Sequence, residues 1–499
     1  MGTAAALLGV LVPLGFLAHA WSLNGALGFP LDDAWIHLNY ARTLREHGTF
    51  AYFPGAPPSA GSTAPLFTLL EAVGFLVTSN EKLLAILLGL AAHAGFLVAF
   101  ARWAEQRLGD ARWTALAVGL VALDGRVALL AVSGMETSLF LALTALAIER
   151  RLAGRALASG LALGAALWVR PDAAILAAVF AIDTLLGDAG AASAATGGGR
   201  DGKVRSLGAF ALVALAYAGL NLALSGHPLP ATFAAKTAYY ATRPRSAFLT
   251  GDVAECFGSG AWVVFAPFAL IACGLVVHGL VRRRRPTFRI EAGWAAALPL
   301  AYLIFLPYSH RFTRYLVPAL PALAILGVAG LQAIVRARAV SMMLRRLVLV
   351  ATLVAAVALH ARLLAESADF YAFACRYHAE RHEQAGRWLA AHTPPDAVVA
   401  THDVGAIAYY SRRRIVDAAG LVSPEVTPWI GKSFYPDSLT ALFDRRGVTH
   451  VAAFEDWLPI GGVPPLVVFN TEPEVMRIYP WVPGRTQVLP VASAPPAAH

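Results

Sequence analysis

Runs of mostly apolar residues, most of them close to the roughly 20 residues a helix needs to cross a bilayer, dominate this chain. They fall at about 3–23, 64–79, 82–101, 113–133, 135–149, 153–169, 171–187, 205–225, 259–281, 292–308, 312–332 and 343–364. Backbone polar groups in lipid must be satisfied internally, so such runs span as helices. The 499 residues are 58% hydrophobic and only 14% charged, whereas soluble domains carry about 25% charged residues. The class is therefore an all-α polytopic membrane protein.

The formal net charge of +9 does not point to nucleic acid, because no Lys/Arg-aromatic pattern accompanies it. Much of the basic charge sits between apolar runs, at Arg150-Arg151, Arg282 to Arg285 and Arg336 to Arg346. Such clusters mark cytoplasmic loops. Placing 200–205, 282–289 and 336–346 inside puts 24–63, 226–258 and everything after 365 outside, with a cytoplasmic N-terminus. That topology needs an odd number of crossings. The run 113–133 is interrupted by Asp124-Gly125-Arg126 and reads as two short pieces that enter and return. About 11–13 transmembrane helices are expected. The first run lacks a basic leader and reads as an uncleaved span. Three cysteines at unrelated spacings exclude a zinc motif or a disulfide framework.

The organisation follows. Residues 1–364 form the membrane domain, with a first external loop at 24–63. In that loop Asp32 can cap a helix running to about His47 and ended by Gly48, with Trp35, Leu38 and Leu44 lying on the membrane. Residues 189–202 are Gly/Ala/Ser-rich and read as a flexible cytoplasmic loop. Residues 365–490 change character. A charged amphipathic helix at 378–391 precedes short strands at 397–400, 414–416 and 450–454, with helices at 404–410 and 439–446 between them. This is a small extracytoplasmic α/β domain. The tail 491–499 is Pro/Ala-rich and reads as disordered.

The topology gathers polar residues at the outer ends of spans: Asp32, Asp33, Glu136, Arg170, Asp172, Lys236, His310, Arg311, Arg314 and Tyr315. Ionisable residues at a bilayer face are costly unless used. Each has a plain structural reading. Asp32 and Glu136 can cap helices, Arg311 and Arg314 can snorkel, and Arg170 with Asp172 can be a local ion pair. Their coincidence on one side favours a site for an anionic substrate. Arginine and lysine hold a phosphate leaving group, and a carboxylate takes the proton of an attacking hydroxyl. An adjacent second carboxylate raises the pKa of the first or holds a divalent cation.

Several motifs resemble one family. Asp32-Asp33, then Tyr40-Ala41-Arg42, then Gly61-Ser62-Thr63-Ala64-Pro65-Leu66-Phe67 are similar to the first external loop of the GT-C integral-membrane glycosyltransferases. The bacterial branch of arabinofuranosyltransferase-like and GT39-like enzymes is nearest. Ser133-Gly134-Met135-Glu136-Thr137, Arg170-Pro171-Asp172, Arg314-Tyr315-Leu316-Val317-Pro318 and Asp403 to Tyr410 follow in the order that branch shows. His37-Leu38-Asn39 stands where an arginine often precedes Tyr-Ala, a departure from the pattern.

The resemblance implies transfer of a sugar from a polyprenyl-phosphate donor to an extracytoplasmic glycan, lipid or protein acceptor, with inversion, at the bacterial inner membrane. It implies Asp32 as general base, and Asp33 as its support or as ligand to Mg2+, Mn2+ or Ca2+. Arg170, Lys236, Arg311 and Arg314 become donor-phosphate ligands, with Arg42, Glu136, Asp172, His310 and Tyr315 as further substrate contacts. Two other functions fit many spans. A transporter or lipid-sugar flippase predicts an internal repeat and charges at midplane. An assembly protein predicts a dispensable acidic pair.

Overall fold

The computed structural model describes residues 2–186, 200–282, 287–309, 311–469 and 474–491. The predicted loop at 189–202, the tail at 491–499 and His310 lie wholly or largely outside these. Two compact units divide the chain. One comprises Met1–His19, Ile86–Tyr217 and Arg243–Phe370; the other comprises Ala20–Ala85, Ala218–Thr242 and Tyr371–His499.

The first unit is helical. Across the described chain, five helical stretches are long and apolar enough to cross a membrane: Glu81–Leu108, Arg200–Ser225, Trp262–Val281, Arg311–Arg336 and Met342–His392. A sixth is the pair Ala111–Ala122 and Gly125–Ala131, bent by 64°. The bend falls at the interruption that the sequence marks. Asp124 caps the second piece through the Arg126 and Val127 amides, and its carboxylate holds the Arg126 guanidinium and the Trp262 indole. Arg126 also reaches the carbonyl of Cys256 at 2.9 Å. The freed backbone ends are thus satisfied in protein, as a break in a span requires.

Other expected spans are shorter helices: Thr137–Leu152, Ala156–Leu167, Ala173–Leu185 and Arg289–Phe305. This is why the long spans number fewer than the apolar runs suggested. Helix Trp262–Val281 packs closely on Leu320–Arg336. A Cβ on Gly330 would stand 2.0 Å from the Phe268 carbonyl oxygen, so a small residue sets that approach. The protein is a multi-pass membrane protein.

The second unit is built on a sheet. Strands β1 (Val398–Thr401), β2 (Arg414–Asp417), β3 (His450–Phe454), β4 (Ile460–Gly461), β5 (Val467–Phe469), β6 (Met476–Pro480) and β7 (Gln487–Val488) follow in order. The main sheet runs β2-β1-β3-β6-β5, and β4 pairs with β7. Strand β1 is parallel to β2 and β3, whereas β6 is antiparallel to β3 and β5.

Alternation fills two cores. Val398, Ala400 and Val416 face the helix Tyr435–Arg446 through Leu439, Leu442 and Phe443. Val399 and Ile415 face the other side, with Leu389, Ile407 and Ala408. Ile36, Tyr40 and Tyr52, from the loop at 24–63, join that second core. The loop helix Asp33–His47 ends at Gly48, whose φ of 68° suits a residue without Cβ. Its apolar face is buried in protein rather than laid on lipid. Trp35 and Leu38 are fully buried, and Trp35 packs on Phe29, Tyr409 and Tyr410. All three cysteines are free thiols.

Candidate functional site

In the first unit, three separate motifs meet. Val169 and Arg170 lie in the turn after helix Ala156–Leu167, and the next helix begins at Ala173 with Asp172 at its N-cap position. The Arg170 guanidinium donates to the Asp172 carboxylate at 2.9 Å from Nε. Its Nη1 lies 3.8 Å from Glu136 Oε1. The Tyr302 hydroxyl donates to Asp172 Oδ1 at 2.8 Å and accepts from Arg170 Nη2 at 3.2 Å. Tyr302 stacks on Tyr315, and the Arg170 guanidinium carbon stands 4.8 Å from the Tyr315 ring centre. Arg314 lies over the same ring at 5.2 Å and is buried.

Glu136, Arg170, Asp172, Arg314 and Tyr315 therefore form one cluster, five of the ten residues that the expected topology placed on one side. Tyr302 was not anticipated; a tyrosine within an apolar span is an ordinary interface residue by pattern alone. Just before Arg314 the chain is strained. Phe312 and Thr313 have φ of 62° and 51°, values costly for residues with a Cβ and worst for a β-branched one. Arg311 starts this turn and is half-buried.

In the second unit, Asp32 does not cap its own helix. Its oxygens accept the amides of Gly405 at 2.6 Å and Ala406 at 2.8 Å. It thereby satisfies the start of helix Gly405–Ser411, 373 residues later in the chain. Burial pushes its carboxyl up, against the opposing pull of His382 and with reinforcement from Asp403. Asp33 sits in the first turn of the loop helix and is half-buried.

Arg42 is engaged with protein. It donates to the Tyr409 carbonyl and to Asn39 Oδ1, at 2.8 and 2.7 Å, with its guanidinium 4.0 Å from the Tyr409 ring centre. Lys236 lies on helix Ala231–Tyr240 and is half-buried.

Around Asp32 stand residues that the sequence reading passed over. His382 Nε2 is 2.9 Å from Asp403 Oδ2, and His402 Nε2 is 3.5 Å from the same oxygen. Against burial, which would raise it, His402 and His382 hold the Asp403 carboxyl below the usual range. Burial lowers the His402 pKa. The signal for this group was present as His378-Ala-Glu-Arg-His382, two histidines at i and i+4 in what read only as a charged helix. Elsewhere in this unit a cavity of about 600 Å³ is lined by Tyr52, Phe53, Phe233, Ile415 and Val422, with Arg446 and Glu425 among its polar residues.

Residues 371–487 match a family described only as a domain of unknown function, DUF8728. No curated protein matches the chain in sequence. Among solved structures, the crystal structure of ArnT from Cupriavidus metallidurans bound to undecaprenyl phosphate is similar at 14% identity and a TM-score of 0.53. The match covers 95% of this chain and 97% of that one. The apo form of the same protein is similar at 15% identity and a TM-score of 0.52, covering 94% and 97%. At such identity the likeness is one of fold alone: the chain shares the fold of that ArnT over nearly its whole length.

Proposed function

We propose that this protein transfers a sugar from a polyprenyl-phosphate donor to an extracytoplasmic acceptor. The observation that carries the reading is the meeting of Glu136, Arg170, Asp172, Arg314 and Tyr315 in a chain whose fold is shared with an undecaprenyl-phosphate-bound protein. Buried arginines suit a phosphate, because the planar guanidinium fork donates to two of its oxygens at once. They also offset charge on the leaving phosphate as the glycosidic bond breaks. Arg170 and Arg314 take this role, with Lys236 and Arg311 as further phosphate ligands.

In this reading the general base is Asp33, not Asp32. Losing Asp32 would release the start of helix Gly405–Ser411, whose Gly405 and Ala406 amides it accepts, so its role in this reading is structural. Asp33 removes the proton from the attacking hydroxyl, and the transfer inverts the anomeric carbon. Asp172 and Glu136 fix the arginine forks. The cavity beside Phe233 and Ile415 suits an acceptor with an apolar portion. Arg42 acts on the fold of the loop. The identity of the sugar, hexose or pentose, follows from the assay below.

Purified full-length protein in nanodiscs is incubated with radiolabelled polyprenyl-phosphate sugars and a membrane extract as acceptor. Loss of label from one donor in the wild type, absent in Asp33→Asn and in Arg170→Ala, is the expected result. Donor that neither binds nor reacts would overturn the reading in favour of a transporter or an assembly protein.

A further inference from the structure

We propose that Asp32, His378 and His382 form a binding site for a zinc-class divalent cation, with Asp403 behind His382. These three side chains offer ligand atoms that all lie within 4.8 Å of one another. They come from two distant parts of the second unit, the start of the first external loop and the end of the last long helix.

The helix brings the histidines together by an irregularity. Helix Met342–His378 passes into a π-helical turn, Ala379–Glu383, before resuming as Gln384–His392. Such turns are rare and concentrate at functional sites. His378 and His382 flank and occupy this turn, their rings 4.7 Å apart and their Nδ1 atoms separated by 3.3 Å. Two nitrogens each about 2.0–2.1 Å from a tetrahedral zinc stand about 3.3–3.4 Å apart. The spacing is that of two ligands on one ion.

Tautomer chemistry points the same way. His382 Nε2 faces the Asp403 carboxylate at 2.9 Å. A carboxylate only accepts, so Nε2 carries the hydrogen and neutral His382 presents a lone pair at Nδ1. That lone pair is directed to His378. A carboxylate behind a metal-bound histidine is the usual outer support, fixing ring orientation and raising ligand basicity. Phe454 and Tyr377 pack against the His382 ring and His402 stacks on Trp457, so the surroundings are largely apolar.

Two imidazoles and a carboxylate favour zinc, or its neighbours in the transition series, over the oxygen-loving Mg2+ and Ca2+. Asp32 retains lone pairs for a cation while accepting the Gly405 and Ala406 amides, because each carboxylate oxygen accepts twice. The bound ion would fasten the start of the loop helix Asp33–His47 to the end of the last long helix. The site stands whether or not the transferase reading does, because its assay reads metal and not turnover.

The test uses full-length protein in detergent, purified on a tag without histidine, stripped with chelator and dialysed against Zn2+. Elemental analysis is expected to find about one zinc per chain in the wild type, and Co2+ in its place to give the intense visible absorption of tetrahedral coordination. His378→Gln and His382→Gln are expected to lose that metal, and Asp403→Asn to bind it about 10–100-fold more weakly. His392→Ala, an exposed histidine on the same helix, is expected to bind as the wild type does. Chelator should lower the melting temperature of the wild type and leave that of the His378→Gln, His382→Gln double variant unmoved. Absence of zinc from folded wild type, or zinc that survives both substitutions, would overturn the proposal.

Discussion

The Asp32 carboxylate accepts the Ala406 amide at 2.8 Å, across 374 positions of sequence. Together with the Gly405 amide it places a full negative charge at the start of a seven-residue helix. A charge-assisted cap of this kind contributes about 1–2 kcal/mol. Asp32→Asn keeps the shape but loses the charge and offers only one accepting atom. Its melting temperature in detergent is expected to fall, and protease is expected to cut more readily around 400–412. An unchanged melting temperature would show that the contact contributes little.

Asp33→Asn separates chemistry from scaffold. General-base catalysis contributes about 10²–10⁴-fold, so transfer is expected to drop by that factor while the melting temperature holds. Asp32→Asn should show the opposite balance in the same pair of assays, with greater loss of stability. Full transfer by Asp33→Asn would return the base to Asp32.

Gly405 sits where a side chain has no room. A Cβ there would stand 2.1 Å from the Asp32 backbone oxygen and 2.6 Å from Oδ2. Overpacking against main chain costs about 1–3 kcal/mol. Gly405→Ala is expected to unfold at lower temperature than wild type. Gly95→Ala, where an added methyl meets nothing within 4 Å, is expected to show no such loss.

Tyr302→Phe keeps the stack on Tyr315 and deletes one hydroxyl. That hydroxyl bridges Asp172 and Arg170. Hydrogen bonds to charged groups contribute about 1.5–3 kcal/mol, so donor binding is expected to weaken by roughly tenfold or more. Equilibrium binding of labelled polyprenyl phosphate measures it. A dissociation constant within twofold of wild type would mean the bridge does not organise the cluster.

Asp417, at the end of β2, ties a loop. Its oxygens accept the Ala419 and Val422 amides, each at 2.7 Å, and the residue is fully buried. In Asp417→Asn the new amide group would face a backbone donor. A buried unsatisfied donor costs about 1–3 kcal/mol. The variant is expected to melt earlier than wild type, and one that melts with it would show that the loop repacks.

How far the sequence reached depends on the range of the interaction behind each feature. Apolar length, basic clusters and the Asp124-Gly125-Arg126 break are local, and the broken helix appeared at that break. The strands around Val399, Ile415 and Val451 were legible from β-branched runs between turns. Strands β5 and β6 were not, since Val467–Phe469 is three residues long and only partly buried. Glu136, Arg170, Asp172, Arg314 and Tyr315 were among ten polar residues that the expected topology placed on one side, because each lies at a span end; that these five touch was not legible. The partner of Asp32 was invisible. An aspartate before a helix is an ordinary cap by pattern, and nothing near residue 32 announces donors at 405 and 406. Trp35 was misplaced for the same reason: an aromatic on an amphipathic helix suits a lipid surface or a protein surface equally, and Tyr409 and Tyr410 decide between them only in three dimensions.

The long reach between Asp32 and the 405–406 amides has a consequence for biosynthesis. At about 5–20 residues per second, the ribosome needs roughly 20–75 s after making Asp32 before its partners exist. During that interval Asp32 and Trp35 are without the partners at 405–410 that bury them in the folded chain. A chain that stops before residue 405 therefore lacks the amides that the Asp32 carboxylate accepts and the Tyr409 and Tyr410 rings on which Trp35 packs.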